Sequence, residues 1–148
     1  MEWRDSKLYI YHQIGHIIVL GVDPNKKAEG KALKVSSYLK EVFAQNPGLR
    51  AQYNVDILSG DFHQYYKEHN IILLPCKSTQ RNKSDFSVIQ ESILWLRAWG
   101  DKNFDDLEAR GKKVFVPLIG TGKQGVNPGD VQRFMEATLK NARIIGVI

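Results

Sequence analysis

The chain has 148 residues, a length that favours one domain with a core of its own. A hydrophobic fraction of 43% and a charged fraction of 25% exclude a largely disordered, collagen-like or coiled-coil protein. Lys and Arg number 21 against 16 Asp and Glu, so the net charge of +5 favours an anionic partner. The single cysteine, Cys76, excludes an internal disulfide and a zinc site built from several cysteines.

The first half of the chain alternates short apolar runs with longer amphipathic ones. Lys7–Gln13 is rich in β-formers and predicts a strand, and the apolar run His16–Val22 predicts a strand buried on both faces. Apolar residues at helical spacing predict an amphipathic helix over Gly30–Ala44, which Asn46-Pro47-Gly48 ends. Tyr53–Leu58 reads as a short strand.

The second half repeats this alternation. The predicted strands are Asn70–Pro75, Lys113–Ile119 and Arg143–Ile148. The predicted helices run from an N-cap at Ser84 to about residue 99, over Phe104–Arg110, and over Val131–Leu139 after an N-cap at Asp130.

Buried strands separated by helices indicate an α/β fold with a mostly parallel central sheet. In such sheets ligands bind where the strands end at their carboxyl termini. The loops Asp23–Gly30, Cys76–Lys83 and Gly120–Gly129 are therefore the places to look for a site. No segment has the length of an apolar membrane span or the apolar core of a signal peptide, so we expect a cytoplasmic domain without a membrane partner.

The loop Gly120–Gly125 follows a predicted buried strand directly. Its glycines allow positive φ and close approach of a ligand to the backbone, and successive N–H groups can bind an anion. Lys123 adds positive charge and Thr121 a hydroxyl donor. The spacing is not that of a nucleotide P-loop. It does match GxGxxG, but near the C-terminus rather than in the first βαβ unit, where dinucleotide-binding folds carry that motif.

The sequence Pro-Leu-Ile-Gly-Thr-Gly-x-x-Gly at 117–125 resembles the second phosphate-binding loop of macrodomains. Macrodomains are ADP-ribose-binding modules built as a three-layer α/β/α sandwich with a mixed, mostly parallel sheet. The resemblance spans about residues 16–148 and implies one macrodomain-like domain over residues 1–148 without a cofactor or a metal. It implies that the loop wraps the diphosphate and distal ribose through Gly120, Thr121, Gly122, Lys123, Gln124, Gly125 and Val126.

Two further segments are similar to macrodomains. In IIVLGVDPNKKAEGKAL, Asn25 matches an asparagine that touches the distal ribose in catalytic members, and Asp23 replaces another. Gly30 and Lys31 then lie at a helix start that would help to hold the diphosphate. In LLPCKSTQRNKS, Lys77 matches a lysine with a catalytic role in antitoxin-like members that remove ADP-ribose from DNA.

One family feature is missing from the sequence. Macrodomains carry an acidic residue near the N-terminus that accepts a hydrogen bond from the adenine amino group. The matching stretch here, Tyr11–Gly15, has no carboxylate, and Asp5 lies too early in the chain. The resemblance therefore leaves adenine recognition unassigned.

The expected function is binding of ADP-ribose or a related nucleotide diphosphate, either to read or to remove ADP-ribosyl modifications on DNA or protein. As a hydrolase, the chain would use Lys77 to attack a ring-opened aldehyde or to stabilise the leaving group, with Asn25 orienting the ribose or water. A third reading is a nucleic-acid or protein interaction module, since Lys77–Lys83 is basic. The residues also leave open Cys76 as a nucleophile and His12, His16, His63 and His69 as metal ligands.

Overall fold

The computed structural model describes residues 1–24, 37–77, 84–122, 125–140 and 142–148. Its sheet is six-stranded, with the order β1-β6-β5-β2-β4-β3. All neighbouring strands pair in parallel except β3, which is antiparallel to β4 at one edge. The strands are β1 (Trp3–Arg4), β2 (Ile17–Val22), β3 (Gln64–Tyr66), β4 (Ile71–Pro75), β5 (Val114–Pro117) and β6 (Ile144–Val147).

Helices cover both faces of the sheet. They are α1 (Leu8–Gln13), α2 (Ser37–Gln45), α3 (Pro47–Leu58), α4 (Phe86–Ala109) and α5 (Pro128–Thr138), and a 3-10 turn spans Lys67–His69. Side chains alternate along β2, so that Ile17 and Val19 pack in the core under α4 and α5, whereas Ile18 and Leu20 pack under α2 and α3. The chain is thus a three-layer α/β/α sandwich with a mixed, mostly parallel sheet, as the sequence predicts.

The apolar strands are confirmed because each is covered on both sides. All residues of β2, β4 and β6 are buried, as are the first three of β5. Within the described residues, none of the helices combines the length and apolar character that a membrane span requires.

The predicted strand at Lys7–Gln13 is wrong, because Leu8–Gln13 forms α1. Leu8 and Tyr11, three residues apart, pack on the sheet from this helix, and the Tyr11 ring stacks on Phe115 with a centroid distance of 3.8 Å. His12 bonds both to the Tyr38 hydroxyl (2.6 Å) and to the His69 carbonyl (2.7 Å). These tertiary contacts outweigh the local preference for a strand.

The predicted strand at Tyr53–Leu58 is also wrong, because these residues complete α3. The buried Leu49 and Tyr53 lie four residues apart on that helix, a spacing that puts both on its inner face. The motif Asn46-Pro47-Gly48 does end α2, but Pro47 then begins α3 at once.

Three other boundaries differ from the predictions. Helix α4 runs through Gly100 to Ala109 rather than stopping near residue 99. Asp85, not Ser84, caps it by accepting from the Ser87 N–H, and Asn127, not Asp130, caps α5. The predicted helix over 30–44 can be compared with the structure only from residue 37 onward, because residues 30–36 lie outside the described part. There, α2 extends from Ser37 to Gln45.

The edge strand β1 is held in place by a side chain as well as by its backbone pairing with β6. Trp3 lies opposite Gly146 of β6, and a β-carbon at Gly146 would overlap the six-membered ring of Trp3. The indole Nε1–H also donates to Glu136 on α5 (3.0 Å). Gly146 therefore provides the space in which the indole packs on the sheet.

We expect Gly146→Ala to cost about 1–3 kcal/mol of unfolding free energy through overpacking. In a Trp3→Ala background the same change should cost less than about 0.5 kcal/mol, because the ring is gone and Ala suits a strand better than Gly. Urea unfolding of the four proteins of this cycle measures both costs. Equal costs in the two backgrounds would contradict this account of Gly146.

Candidate functional site

An ion pair joins the carboxyl ends of two neighbouring strands. Val22 at the end of β2 pairs with Pro75 at the end of β4, so the residues that follow lie side by side. The Lys77 Nζ lies 2.9 Å from Asp23 Oδ2. The two side chains are only 19% and 9% exposed, so the pair is largely withdrawn from water.

A carboxylate in such a position is costly without its counter-charge. The ammonium of Lys77 compensates the charge of Asp23. In this structure Lys77 Nζ is therefore engaged as a hydrogen-bond donor to the carboxylate.

Helix α4 fixes the end of β4 from behind. The fully buried Ser92 hydroxyl donates to the Pro75 carbonyl (2.7 Å), and the Asp85 N–H donates to the Cys76 carbonyl (2.9 Å). On the other side, the Cys76 N–H donates to the Val22 carbonyl (3.1 Å). These bonds set the position of the backbone that carries Lys77.

Cys76 is a packing residue. It is 5% exposed, and burial raises the pKa of its thiol to about 12. A thiol in that state supplies almost no thiolate near neutral pH, which argues against the nucleophile reading of the sequence. Its sulfur instead fills the space beside Gly21, where a β-carbon would overlap it.

The glycine-rich loop begins directly after β5 and folds back on itself. Gly120 has φ +73°, and a β-carbon there would overlap Ile89 of α4. The Gly125 N–H donates to the Gly122 carbonyl (2.7 Å), and the Val126 N–H donates to the Gly120 carbonyl (2.9 Å). The Thr121 hydroxyl donates to the Leu118 carbonyl (2.6 Å). These three donors are engaged within the loop in this structure.

Gly122 differs from Gly120. Among the described residues beyond its chain neighbours, no heavy atom lies within 4 Å of the position that a β-carbon of Gly122 would occupy. A ligand can therefore approach the backbone here, and a side chain placed here would meet the ligand rather than the core.

The structure brings the described parts of all three predicted segments together. A β-carbon on Gly120 would lie 3.4 Å from Cys76 Cβ, so the glycine-rich loop borders the residue preceding Lys77. Asp23, Lys77 and the loop residues Gly120, Thr121, Gly122, Gly125 and Val126 thus lie at one edge of the sheet. The predicted contacts Asn25, Gly30, Lys31, Lys123 and Gln124 lie outside the described residues.

Sequence reasoning indicates Asp23 and Lys77 separately and does not pair them. The signal was available, since both residues follow apolar strands that a parallel sheet can place side by side. It also missed Ser92 and Gly21. A lone serine on an apolar helix face and a glycine inside an apolar strand were the only cues.

The described residues contain no group of three or more His, Cys, Asp or Glu arranged to hold a metal ion. Two of the four histidines considered above as metal ligands form hydrogen bonds with the backbone instead. The His12 Nε2–H donates to the His69 carbonyl (2.7 Å), and His16 Nδ1 accepts from the Lys113 N–H (3.1 Å).

No protein-family model and no curated protein matches this sequence. Solved structures do resemble the fold. The macrodomain of Thermus aquaticus DarG superimposes with a TM-score of 0.66 at 15% identity, covering 99% of this chain and 95% of that chain. The macrodomain of Mycobacterium tuberculosis DarG superimposes with a TM-score of 0.64 at 16% identity, covering 99% of this chain and 94% of that chain.

A third similar structure is Thermosipho africanus DarTG in complex with ADP-ribose, with a TM-score of 0.67 at 14% identity. The match covers 98% of this chain but only 40% of that longer protein. Identities this low establish the architecture and not the residues of a site. The chain has the macrodomain fold, in a form whose sequence has diverged widely from these structures.

Proposed function

We propose that this chain binds ADP-ribose, or a related nucleotide diphosphate, at the carboxyl edge of β2, β4 and β5. One observation carries the proposal: the Asp23–Lys77 pair and the open glycine-rich loop lie beside each other at the edge where parallel sheets bind ligands. The likeness to a structure in complex with ADP-ribose supports the same ligand class.

The chemistry of the edge suits such a ligand. A diphosphate carries close to two negative charges, and the net charge of +5 favours its approach. Lys77 Nζ supplies a hydrogen-bond donor at this edge. Gly122 lets phosphate oxygens reach the loop backbone. The Asp23 carboxylate is an acceptor for ribose hydroxyls. Contacts from Asn25, Gly30, Lys31, Lys123 and Gln124 are part of the proposal and rest on the sequence resemblance.

The first test uses Gly122, where a side chain fits without disturbing the core. Isothermal titration should show ADP-ribose binding to the wild type, and Gly122→Glu should weaken it by at least about tenfold through repulsion of the diphosphate. Gly122→Ala is the matched control and should bind within a few-fold of the wild type.

Urea unfolding should give the same midpoint for the two variants, which separates binding from stability. The proposal fails if the wild type produces no heat with millimolar ADP-ribose. Binding at the glycine-rich loop is contradicted if Gly122→Glu binds ADP-ribose as tightly as Gly122→Ala does.

A second candidate function is hydrolysis of an ADP-ribosyl bond, favoured by the placement of the Lys77 ammonium at the same edge of the sheet. A charged amine can donate a hydrogen bond or a proton to an oxygen or nitrogen leaving group at the distal ribose. To attack a ring-opened aldehyde, Lys77 would first have to lose a proton and its contact with Asp23. The geometry therefore fits the leaving-group role better.

Incubation with ADP-ribosylated DNA, and separately with ADP-ribosylated protein, distinguishes a hydrolase from a reader. A hydrolase releases free ADP-ribose, and Lys77→Met should then slow release by about 100-fold or more, the usual scale for a general acid. Binding without release in the wild type identifies a reader. Release that Lys77→Met leaves unchanged would exclude Lys77 from the chemistry.

The ion pair itself makes a stability prediction. Lys77→Met leaves the largely buried Asp23 without this ammonium and should lower the unfolding free energy by about 1–3 kcal/mol. Adding Asp23→Asn should recover most of that loss, because the neutral amide needs no counter-charge. Urea unfolding measures both steps. A double variant no more stable than Lys77→Met would contradict a stabilising ion pair.

A further inference from the structure

The strand β3 has little backbone support. It is three residues long, lies at the edge of the sheet and pairs only with β4, in an antiparallel arrangement. All three of its residues are half-buried, whereas every residue of β4 is buried. A strand this short depends on side-chain contacts as well as on backbone pairing to hold its place.

Aromatic side chains attach β3 to helix α4. Trp95 and Trp99 lie four residues apart on that helix, and their rings stack with a centroid distance of 6.5 Å. The Tyr65 ring makes a T-shaped contact with Trp99, with a centroid distance of 4.8 Å. The His63 ring, which directly precedes the strand, stacks on Trp95 at 5.9 Å. These four rings form the aromatic cluster of β3.

Within this cluster, His63 is the residue whose side chain can change its charge near neutral pH. Its Nε2 is buried and has no hydrogen-bond partner among the residues that the structure describes. A neutral imidazole tolerates this position, because one of its two nitrogens carries no proton. An imidazolium carries a proton on both nitrogens, so Nε2–H would become a charged donor that is buried without an acceptor.

The surroundings of His63 compensate such a cation only in part. Burial lowers the pKa of His63, and the carboxylate of Glu91 on α4 opposes this effect without reversing it. Glu91 is exposed, so water and salt screen its charge. The face of the Trp95 ring attracts a cation, but it gives Nε2–H no acceptor. Protonation of His63 therefore weakens the packing of its ring against α4.

We propose that His63 makes the attachment of β3 to α4 acid-sensitive: protonation of its ring releases Gln64–Tyr66 while the rest of the sheet stays paired. Gln64 lies opposite Leu73, so His63 flanks the part of β4 that leads into Pro75. Release would uncover the backbone edge of β4 next to the carboxyl edge of the sheet. The proposal does not depend on the function proposed for that edge.

The first test compares the wild type with His63→Phe, which keeps a ring against Trp95 but cannot be protonated. From about pH 7.5 to about pH 5, the unfolding equilibrium constant in urea should rise about threefold or more beyond any rise in His63→Phe. The sign follows because a histidine whose pKa is lowered by folding binds its proton more readily in the unfolded chain. His69→Gln removes a histidine outside the aromatic cluster and should behave like the wild type.

Two measurements on the wild type need no substitution. The ring proton shifts of His63 should titrate with a midpoint below that of histidine in an unstructured peptide. Amide hydrogen exchange at the same two pH values, corrected for intrinsic rates, should show protection falling about threefold or more at Gln64–Tyr66 and little change at Val114–Val116 of β5.

Three outcomes would overturn the proposal. They are a His63 midpoint at or above the peptide value, the same pH dependence of unfolding in the wild type and His63→Phe, and protection lost equally in β3 and β5. Should His63→Phe fail to fold, the titration and the hydrogen exchange of the wild type still decide the question.

Discussion

The in-register parallel pairing of β2 with β4 is the interaction on which the candidate site depends. It places the ends of the two strands level, so that Asp23 and Lys77 meet as soon as the strands stop. A slip of one residue would turn the side chains to the opposite face of the sheet and separate the pair. Every residue in both strands is buried, and this holds the register because a slip would force the side chains in the cores on both faces to repack.

The carboxyl edge of the sheet brings together the groups of the candidate site. At the carboxyl edge, a carboxylate, an ammonium and open backbone lie together, a mixture suited to a sugar diphosphate. The net charge of +5 is a bulk figure, and it does not show that the ammonium of Lys77 at this edge is offset by the carboxylate of Asp23.

Much of the fold and part of the site can be predicted from the sequence, and the failures have physical causes. Apolar runs such as Ile71–Pro75 identify buried strands because both faces are covered. Lys7–Gln13 misleads because its β-forming residues are recruited into a helix by Tyr11 stacking on Phe115, a contact more than 100 positions away in the chain. Gly100 reads as a helix end, but it continues α4 and makes space for Phe104. The Asp23–Lys77 pair needs the strand register, which one sequence alone does not fix.

The single thiol of Cys76 gives this molecule a built-in reporter of its own local opening. The sulfur is shielded from solvent beside Gly21 of β2, and burial raises the pKa of the thiol to about 12. An alkylating reagent can react only when the carboxyl edge opens transiently, so the labelling rate measures the free energy of that opening. Because Lys77 is the next residue, a ligand that settles on the ion pair would slow the labelling and reveal occupancy of the cleft without any added dye.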